Sequence, residues 1–496
     1  MKTLTITNLL FTFLLIFLCP WQAYSDNSDD FIACLSARSD NRTSISNIVY
    51  TPNNSSYLSV LQSSIRNLRF TSPSTPRPLI IVTPVHESQI QDIVHCARVN
   101  GMQIRTRSGG HDLEGLSYRT LHVPFIILDL VNLSEITVDL ENETAWVQTG
   151  ATLGQLYHAI SQTSRTLAFP AGMCPTVGVG GHISGGGYGP MLRKFGIAAD
   201  HVIDSRLVDV NAKALDRKSM GEDLFWAIRG GGGASFGVIT AWKIRLVRVP
   251  ETGERKTMQA TFVSLFLGGV DRLIPLLQRR FPELGVRRED CNEVSWVQSA
   301  LFFGDYPIEE STDVLTSRVA LLNSYLKVKS DYVQEPIPER GLEGLWRFWD
   351  EPEADRAEMT WFPYGGRMSE ISESALPFPH RANNLYKILH LVYWNESGEA
   401  VSERHVNWMR RTYAYLEPFV SKYPRGAYVN YIDLDLGVNN DGNSTSYAQA
   451  SVWGFRYFKN NFKRLVRVKT TVDPRNFFRN EQSIPPLYSG RGRINA

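Results

Sequence analysis

The chain has 496 residues, of which 43% are hydrophobic and 21% are charged, and its formal net charge is +2. This composition is that of a globular protein, and the length exceeds what one hydrophobic core usually serves, so we expect two domains. So small a net charge excludes a long-range field that would attract nucleic acid or an acidic membrane surface.

Residues 1–25 have the pattern of a secretory signal peptide. Lys2 precedes an apolar run from Leu9 to Leu18, and Ala23-Tyr-Ser25 supplies a small-x-small cleavage site. The alternative is a membrane anchor, but the run is short for a bilayer span. We therefore predict a secreted protein of the extracellular space or cell wall, with the vacuole as a further destination. N-glycosylation sequons support secretion; they are Asn41, Asn53, Asn54, Asn132, Asn142, Asn395 and Asn443.

Strand and helix patterns alternate from residue 26 to about residue 249, which predicts one α+β domain. An apolar run predicts a buried strand at Leu79–Val82, and helical spacing predicts a helix over Glu87–Asn100. The other predicted strands are Ile104–Ser108, Phe125–Leu130, Thr144–Thr149, Val202–Val210 and Ala241–Val247, and the other predicted helices are Thr152–Thr163 and Asp223–Arg229.

A domain boundary is predicted at Pro250-Glu-Thr-Gly253, beyond which the glycine-rich character disappears. The remainder is predicted to form a sheet with helices on one face. Its predicted strands include Thr257–Leu267 and Leu385–Tyr393, and its predicted helices include Val270–Arg280, Ser402–Leu416 and Asn460–Thr471.

Two glycine-rich stretches each carry a nucleophilic side chain. The first, from Arg105 to Asp112, contains His111, and the second, from Ala171 to Gly189, contains Cys174. Glycine lets the backbone approach a ligand closely and lets N–H groups converge on an anion. Taken alone, a histidine in such a turn is more often structural, and a cysteine in a secreted protein more often forms a disulfide. Together the two loops predict a large phosphate-bearing cofactor with two points of attachment.

Four cysteines follow the signal peptide, and their spacing leaves all three possible pairings open. They are Cys34, Cys96, Cys174 and Cys291. The sequence has neither the ligand spacing of a zinc site nor a Gly-x-Ser-x-Gly motif, so we expect no metal site and no serine hydrolase.

Several motifs together resemble those of plant berberine bridge enzyme-like proteins, which are FAD-linked oxidoreductases of the vanillyl-alcohol oxidase superfamily. The likeness covers nearly the whole mature chain; the matching stretches are 107–112, 174–189, 223–237, 363–370, 377–381, 428–435 and 476–485. It implies an α+β fold with a PCMH-type FAD-binding domain at 26–249, whose core is about 74–249. It further implies a substrate domain of antiparallel sheet covered by helices at 250–455, and a C-terminal segment, 456–496, that returns to the FAD domain.

The resemblance implies FAD held by two covalent bonds, from His111 to the flavin 8α-methyl and from Cys174 to C6. It pairs Cys34 with Cys96 and leaves Cys291 as a free, buried thiol. Val177 matches the family position that governs oxygen access, and valine there favours an oxidase. The further candidate cofactor contacts are Arg107, Ser108, Gly109, Gly110, Gly180, Gly181 and Val238.

Oxidation of an alcohol needs a base that takes the hydroxyl proton while hydride goes to the flavin. The resemblance points to Tyr431 and Tyr188, with Tyr428 and Lys387 nearby; the alternative for each tyrosine is a packing or structural role. An unperturbed tyrosine, with a pKa of about 10, is a poor base at neutral pH, so we expect Lys387 to lower that pKa as a cation.

Two departures from the family pattern stand out. Leu389 occupies a position where many relatives carry glutamine or an acidic residue beside the substrate. The chain also lacks, between Thr252 and Lys256, a strand and a helix that relatives have, roughly 40 residues by the size of a βα unit. We therefore expect a shortened substrate domain with an exposed sheet edge.

The sequence predicts a secreted, monomeric FAD oxidase that acts on an alcohol, sugar or phenolic plant metabolite and reduces O2 to H2O2. One alternative is an oxidative cyclase of specialised metabolism. Another is a wall or defence glycoprotein that keeps the flavoprotein fold with little turnover. The expected partners are a small-molecule substrate and O2, with no nucleic acid and no membrane.

Overall fold

The computed structural model describes residues 27–38, 45–120, 124–250, 265–319, 324–440 and 445–487. The predicted signal peptide, the sequons at Asn41 and Asn443, and residues 257–264 of one predicted strand lie outside these ranges. Within them, no helix is long and apolar enough to cross a membrane. The sequon asparagines inside them are exposed, and their glycosylation stays a prediction; they are Asn53, Asn54, Asn132, Asn142 and Asn395.

Strands and helices follow the predicted order. The strands are β1 (Val49–Tyr50), β2 (Ile80–Val82), β3 (Gln103–Arg107), β4 (Phe125–Asp129), β5 (Ile136–Asp139), β6 (Thr144–Gln148), β7 (Leu167–Ala168), β8 (Val202–Val208), β9 (Ala214–Leu215), β10 (Val238–Arg245), β11 (Val247–Arg248), β12 (Tyr325–Val333), β13 (Ala357–Pro363) and β14 (Tyr386–Trp394). The helices are 27–38, Tyr57–Gln62, Glu87–Val99, Leu153–Thr163, Val179–Ser184, Leu192–Phe195, Arg217–Ile228, Val270–Arg280, Trp296–Phe303, Glu339–Trp346, Arg367–Glu370, Glu399–Tyr415, Tyr447–Phe458 and Asn461–Val472.

Some boundaries differ from the predicted ones. The helix expected at Asp223–Arg229 is preceded by a short helical stretch from Arg217, which Asp216 caps by accepting a hydrogen bond from the backbone N–H of Ser219 at 2.8 Å, and Gly221, with a φ of 75°, kinks the chain between the two. The strand predicted to continue to Val210 ends at Val208, where it pairs with β10.

Within the described residues, the N-terminal half contains three separate sheets, of which the smallest is the antiparallel pair β11-β7. The first has the strand order β1-β2-β4-β3, with β2 and β3 both parallel to β4, and the helix Glu87–Val99 packs its apolar side against it. The second is antiparallel, in the order β5-β6-β10-β8-β9. The first glycine loop leaves the end of β3, and the second leads into the short helix Val179–Ser184.

The cysteines follow the implied pairing in part. Cys34 and Cys96 form a disulfide that fastens the helix 27–38 to the helix Glu87–Val99, and Cys174 and Cys291 are free. The expectation of a buried Cys291 is wrong, because this residue follows a surface turn, Arg288–Asp290, and is partly exposed.

The C-terminal half is built on a three-stranded antiparallel sheet in the order β12-β14-β13. Side chains alternate between its two faces. One face carries Val333 and Ile388 and packs against the helices Glu339–Trp346 and Glu399–Tyr415. The opposite face carries Tyr332 and Lys387, which are cross-strand neighbours.

The last described segment packs back onto the N-terminal half. Lys469, in the helix Asn461–Val472, donates to the carbonyl of Ser235 at 2.6 Å, and Arg105 pairs with Glu481 at 2.8 Å. Phe478 joins the core beside the parallel sheet.

Candidate active site

The two glycine loops contact each other at Gly109 and Gly178, and neither position has room for a side chain. A Cβ built on Gly109 would lie 2.3 Å from the backbone nitrogen of Gly178, and one on Gly178 would lie 2.1 Å from Ser108 Oγ. No side chain fits at either position, so the contact between the loops depends on the missing Cβ atoms. The two stretches that the sequence singled out therefore form one site.

The side chains of His111 and Cys174 both contact the same neighbour, Thr176. The Thr176 Oγ1 atom is 2.8 Å from His111 Nε2 and 3.4 Å from Cys174 Sγ. Cys174 is free and exposed, so the disulfide alternative for this residue is wrong. Thr176 was not identified from the sequence, although its position inside the second glycine loop, two residues after Cys174, was a usable signal.

Burial and two nearby guanidinium groups keep the His111 imidazole neutral. They lower its pKa to about 3, first through desolvation and then through Arg66 and Arg318. Arg66 Nε donates to the carbonyl of Gly109 at 3.4 Å, and Arg318 Nη2 donates to that of Ser108 at 3.3 Å. A neutral imidazole has a free lone pair, which a nucleophile requires.

Arg107, another candidate cofactor contact, is surrounded by hydrogen-bond partners from the protein itself. The Arg107 guanidinium is fully buried and donates to Asp129 Oδ2 at 2.6 Å and to the carbonyls of Leu61 and Val60 at 2.7 Å each. Its side chain therefore anchors the start of the first loop to the protein.

The backbone positions around the loops divide into buried and open ones. Ser108 Oγ donates to the carbonyl of Thr149 at 2.5 Å, and Gly110 needs its positive φ of 71°. The buried residues are Gly109, Gly110, Gly180 and Val238; Val177 is half-buried, and Gly181 is exposed with open space at its Cβ position.

Three tyrosines converge beside the second loop. The hydroxyl groups of Tyr188 and Tyr431 are in hydrogen-bond contact. The Tyr428 hydroxyl accepts hydrogen bonds from the backbone N–H of Gly187 at 3.1 Å and from Asn430 Nδ2 at 2.9 Å. Tyr428 therefore ties the segment that carries Tyr431 to the segment that carries Tyr188.

Lys387 is buried among these rings. Its Nζ lies 3.0 Å from the centroid of the Tyr188 ring, 4.6 Å from that of Tyr428 and 4.7 Å from that of Tyr431. Within the described residues the amine has no hydrogen-bond partner, and its side chain is fully buried. Desolvation lowers the pKa of Lys387 well below its ordinary value.

Burial also raises the pKa values of the tyrosines. The pKa of Tyr431 lies well above 10, chiefly through desolvation, and the hydrogen bond with Tyr188 opposes this rise. The pKa of Tyr188 is raised well above its ordinary value, first by desolvation and then by Tyr431. The expected lowering of the Tyr431 pKa by a cationic Lys387 is therefore not what the resting site provides, because burial favours the neutral form of both groups.

Comparison with known proteins places the chain in a family. Residues 78–216 match the family described as FAD binding domain, and residues 427–485 match the family described as berberine and berberine like. The tetrahydroberberine oxidase of Berberis wilsoniae is 51% identical over 93% of this chain and 95% of its own length.

The chain belongs to the berberine bridge enzyme-like family. Among solved structures, BBE-like 28 from Arabidopsis thaliana has a TM-score of 0.86 at 44% identity and covers 93% of this chain and 100% of its own. The grass pollen allergen Phl p 4, described as having glucose dehydrogenase activity, has a TM-score of 0.87 at 43% identity and covers 92% and 100%. The chain is therefore an FAD-linked oxidoreductase with the α+β fold of this family.

One departure from the family pattern has a place in the structure: Leu389 is directly opposite Ser330 and Thr360 in the register of the sheet, on the same face as Lys387. The other, between Thr252 and Lys256, lies outside the described residues. The alignment with the Berberis enzyme spans 510 positions but only 93% of this 496-residue chain, so that relative has stretches without a counterpart here.

Proposed function

We propose that this family member is a secreted, monomeric oxidase. It transfers hydride from an alcohol, sugar or phenolic plant metabolite to bicovalently bound FAD, and O2 is reduced to H2O2. The observation that carries the proposal is the contact of both His111 and Cys174 with Thr176, because it places two nucleophiles at one edge of the site where the glycine loops meet.

The residues of the site fit such a cofactor. His111, neutral and nucleophilic, would hold the ring through its 8α-methyl carbon, and Cys174 would hold it through C6. The glycine loops leave room for backbone N–H groups to approach a pyrophosphate. The bound flavin supplies the two-electron chemistry between substrate and oxygen.

The tyrosine cluster would handle the substrate proton. Tyr431 accepts it from the substrate hydroxyl, and Tyr188 holds the Tyr431 oxygen in place through their hydrogen bond. A tyrosinate at position 431 and an ammonium at Lys387 stabilise each other, because the two groups are close and in a medium of low dielectric constant. We therefore propose that Tyr431 ionises together with protonation of Lys387, as a coupled pair.

Oxygen as the electron acceptor is supported by one residue of the second loop, Val177. Wild-type Phl p 4 is described as a glucose dehydrogenase, and its variant with an isoleucine-to-valine substitution alone as a glucose oxidase. The variant with only an asparagine-to-histidine substitution is described as a glucose dehydrogenase, so the valine accompanies the change of acceptor. Val177 of this chain has the same identity as that valine, and the resemblance matches it to the position that governs oxygen access.

Colour on the denatured protein tests the attachment. After acid precipitation of the mature chain loaded with FAD, we expect a yellow polypeptide. The combination of His111→Ala with Cys174→Ala should release the flavin completely, whereas the control changes His95→Ala and Cys291→Ala, at another histidine and at the other free thiol, should leave it bound. A colourless wild-type pellet would overturn the attachment.

Peroxide release tests turnover. A panel of glucose, coniferyl alcohol and tetrahydroberberine covers sugar, phenolic alcohol and alkaloid chemistry, and we expect stoichiometric H2O2 with at least one compound. A flavinylated protein that releases no peroxide under air with any panel compound that reduces its flavin would be a dehydrogenase.

An oxidative cyclase is the second candidate. It is favoured by Leu389 and Phe362, two apolar side chains on the face that carries Lys387, because neither offers a polar partner to a sugar hydroxyl. Analysis of the organic product separates the two candidates, because a cyclase gives a new ring alongside peroxide.

A further inference from the structure

The segment 427–437 carries two of the tyrosines on a stretch with little regular structure. Its regular element is the single turn Leu434–Leu436, and the whole segment lies within the described residues. Neither a helix nor a sheet holds Tyr431. Its position must therefore be fixed by side-chain contacts of the same segment.

Two residues after Tyr431, Asp433 is held by two lysines of β12. Its Oδ1 accepts a hydrogen bond from Lys327 Nζ at 2.8 Å, and its Oδ2 accepts one from Lys329 Nζ at 2.6 Å. All three side chains are at most 3% exposed. Each carboxylate oxygen thus has its own ammonium partner, which fixes both the place and the orientation of the carboxylate.

The backbone of Asp433 is bonded as well. Its N–H donates to the Tyr457 hydroxyl at 3.0 Å, and its carbonyl accepts from Gln482 Nε2 at 2.8 Å. These bonds attach the segment to the helix Tyr447–Phe458 and to the C-terminal segment. A shift of Asp433 would break contacts to three separate parts of the fold.

One of these lysines also contacts a residue just after the loop of His111. Lys327 Nζ also contacts Glu114, which follows His111 by three residues. Lys329 Nζ also contacts Asp435 at 2.7 Å. We call this group of five residues the lysine–carboxylate cluster; its members are Glu114, Lys327, Lys329, Asp433 and Asp435. It connects the loop of His111 to the segment of Tyr431 through one strand.

Strand β12 also holds the segment from its other face. The Ser330 Oγ accepts a hydrogen bond from the backbone N–H of Tyr428 at 2.9 Å. Ser330 alternates with Lys329 along the strand, so the two side chains point to opposite faces. Contacts before and after Tyr431 therefore fix the segment to the strand next to the one that carries Lys387.

A buried cluster of ions is a poor device for stability alone, because apolar residues of similar volume often stabilise a fold equally well. Such a cluster does provide a fixed geometry, because charge-assisted hydrogen bonds are directional. A displacement of about 1 Å near reacting groups slows a reaction about a hundredfold. We propose that the lysine–carboxylate cluster positions Tyr431 relative to the His111 loop, so that Asp433 is a positioning residue that acts on the reaction through Tyr431.

This inference rests on the proposed function, in which Tyr431 is the base, and a double-mutant cycle tests it. The holoprotein is made as wild type, Asp433→Asn, Tyr431→Phe and the double variant. Anaerobic flavin reduction is followed with the panel compound that reduces it fastest. We expect Asp433→Asn to lower the limiting rate constant about tenfold to a hundredfold with little change in substrate affinity, and to have no further effect in the Tyr431→Phe background.

The matched control is Asp473→Asn, which breaks another buried aspartate–lysine pair, Asp473 with Lys469 at 2.7 Å, remote from the tyrosines. We expect a similar loss of thermal stability with an unchanged rate constant. If Asp433→Asn does not fold, Lys329→Gln takes its place and Lys329→Arg should restore part of the rate. Ultraviolet titration tests the inference without substrate. The tyrosinate absorbance that is lost in Tyr431→Phe identifies the ionisation of Tyr431. The midpoint of this ionisation should shift in Asp433→Asn and should be unchanged in Asp473→Asn.

The outcomes separate the two proposals. If Asp433→Asn slows the Tyr431→Phe background as much as the wild type, or slows the wild type no more than Asp473→Asn does, the positioning role is overturned. If Tyr431→Phe itself reduces its flavin at the wild-type rate, the base of the proposed function is lost, and the inference falls with it.

Discussion

The two faces of the sheet β12-β14-β13 hold buried lysines in opposite electrostatic states. On the face with the tyrosines, Lys387 has no hydrogen-bond partner within the described residues, and desolvation lowers its pKa. On the other face, Lys327 contacts Glu114 and Asp433, which outweigh desolvation and raise its pKa. Both side chains are at most 3% exposed. Neighbouring charge, and not burial alone, therefore decides which lysine is a fixed cation and which is free to exchange a proton.

The face with the tyrosines therefore carries the proposed chemistry, and the face with Lys327 anchors the fold. Tyr431 belongs to the first group, and its substitution should have the largest effect on the rate of flavin reduction. Tyr431→Phe should slow anaerobic flavin reduction by about 10²–10⁴-fold, the usual contribution of a positioned general base. In the wild type this rate should rise with pH through the lowered pKa of Lys387 and then level off, because Lys387 must be neutral before it can take the proton of Tyr431.

Stopped-flow measurements from acidic to alkaline pH check this prediction. Tyr415→Phe is a suitable control, since the Tyr415 hydroxyl donates to the carbonyl of Gly341 at 3.0 Å on the other side of the sheet. A rise with pH that persists undiminished in Tyr431→Phe would assign the base to another group.

On the anchoring face, removal of a cation should destabilise the fold. Lys327→Met leaves Glu114 and Asp433 buried with less positive charge, and the loss of one partner of a buried ion pair usually costs about 3–5 kcal/mol. Urea unfolding of the holoprotein measures this difference. A loss below about 1 kcal/mol would mean that water or Lys329 compensates, and the contrast between the two faces would weaken.

The contacts of the lysine–carboxylate cluster were not predicted from the sequence. His111, Cys174 and Tyr431 are found by their motifs, because glycine spacing and residue type are local properties. The lysine–carboxylate cluster joins residues 213 and 106 positions apart, and Arg66 meets Arg318 across 252 positions. Such contacts depend on how separate segments pack, which no periodicity encodes. The charge state expected for Lys387 was wrong for the same reason, since a sequence does not state how completely a lysine is desolvated.

The opposite change is expected for the unpartnered lysine. Lys387→Met removes a buried donor without a hydrogen-bond partner and should stabilise the protein by about 1–3 kcal/mol. It should at the same time slow flavin reduction, because the coupled ionisation of Tyr431 loses its proton acceptor. A stabilised and slow variant is the pattern of a residue kept for function at the expense of stability. Equal or lower stability would indicate that the amine has a partner after all.

The pH dependence of stability sharpens the contrast between the two lysines. The folded-state pKa of Lys387 lies below its ordinary 10.5, so the unfolded chain binds more protons in between and wild-type stability rises with pH there. The advantage of Lys387→Met should therefore shrink from pH 7 to pH 10. Lys327 has a folded-state pKa above its ordinary 10.5, so its contribution to the free energy of unfolding is fully present at every pH below 10.5. The deficit of Lys327→Met should stay constant over the same range, and parallel slopes for both variants would contradict the assignment.

The smallest effect is expected at the second glycine loop. Thr176→Val keeps the shape of the side chain but removes the hydroxyl that lies beside both His111 and Cys174. A hydrogen bond of this kind contributes about 1 kcal/mol, which corresponds to roughly a fivefold change in a rate. We expect slower covalent attachment, measured as the fraction of flavin that separates from the protein on denaturation at successive times after FAD is added, with stability nearly unchanged. Thr149→Val offers a comparison at a nearby threonine whose hydroxyl donates to the carbonyl of Ile239 and touches neither nucleophile. If both valine variants attach flavin at the same rate, the Thr176 hydroxyl has no role in attachment and the residue only fills space between the two side chains.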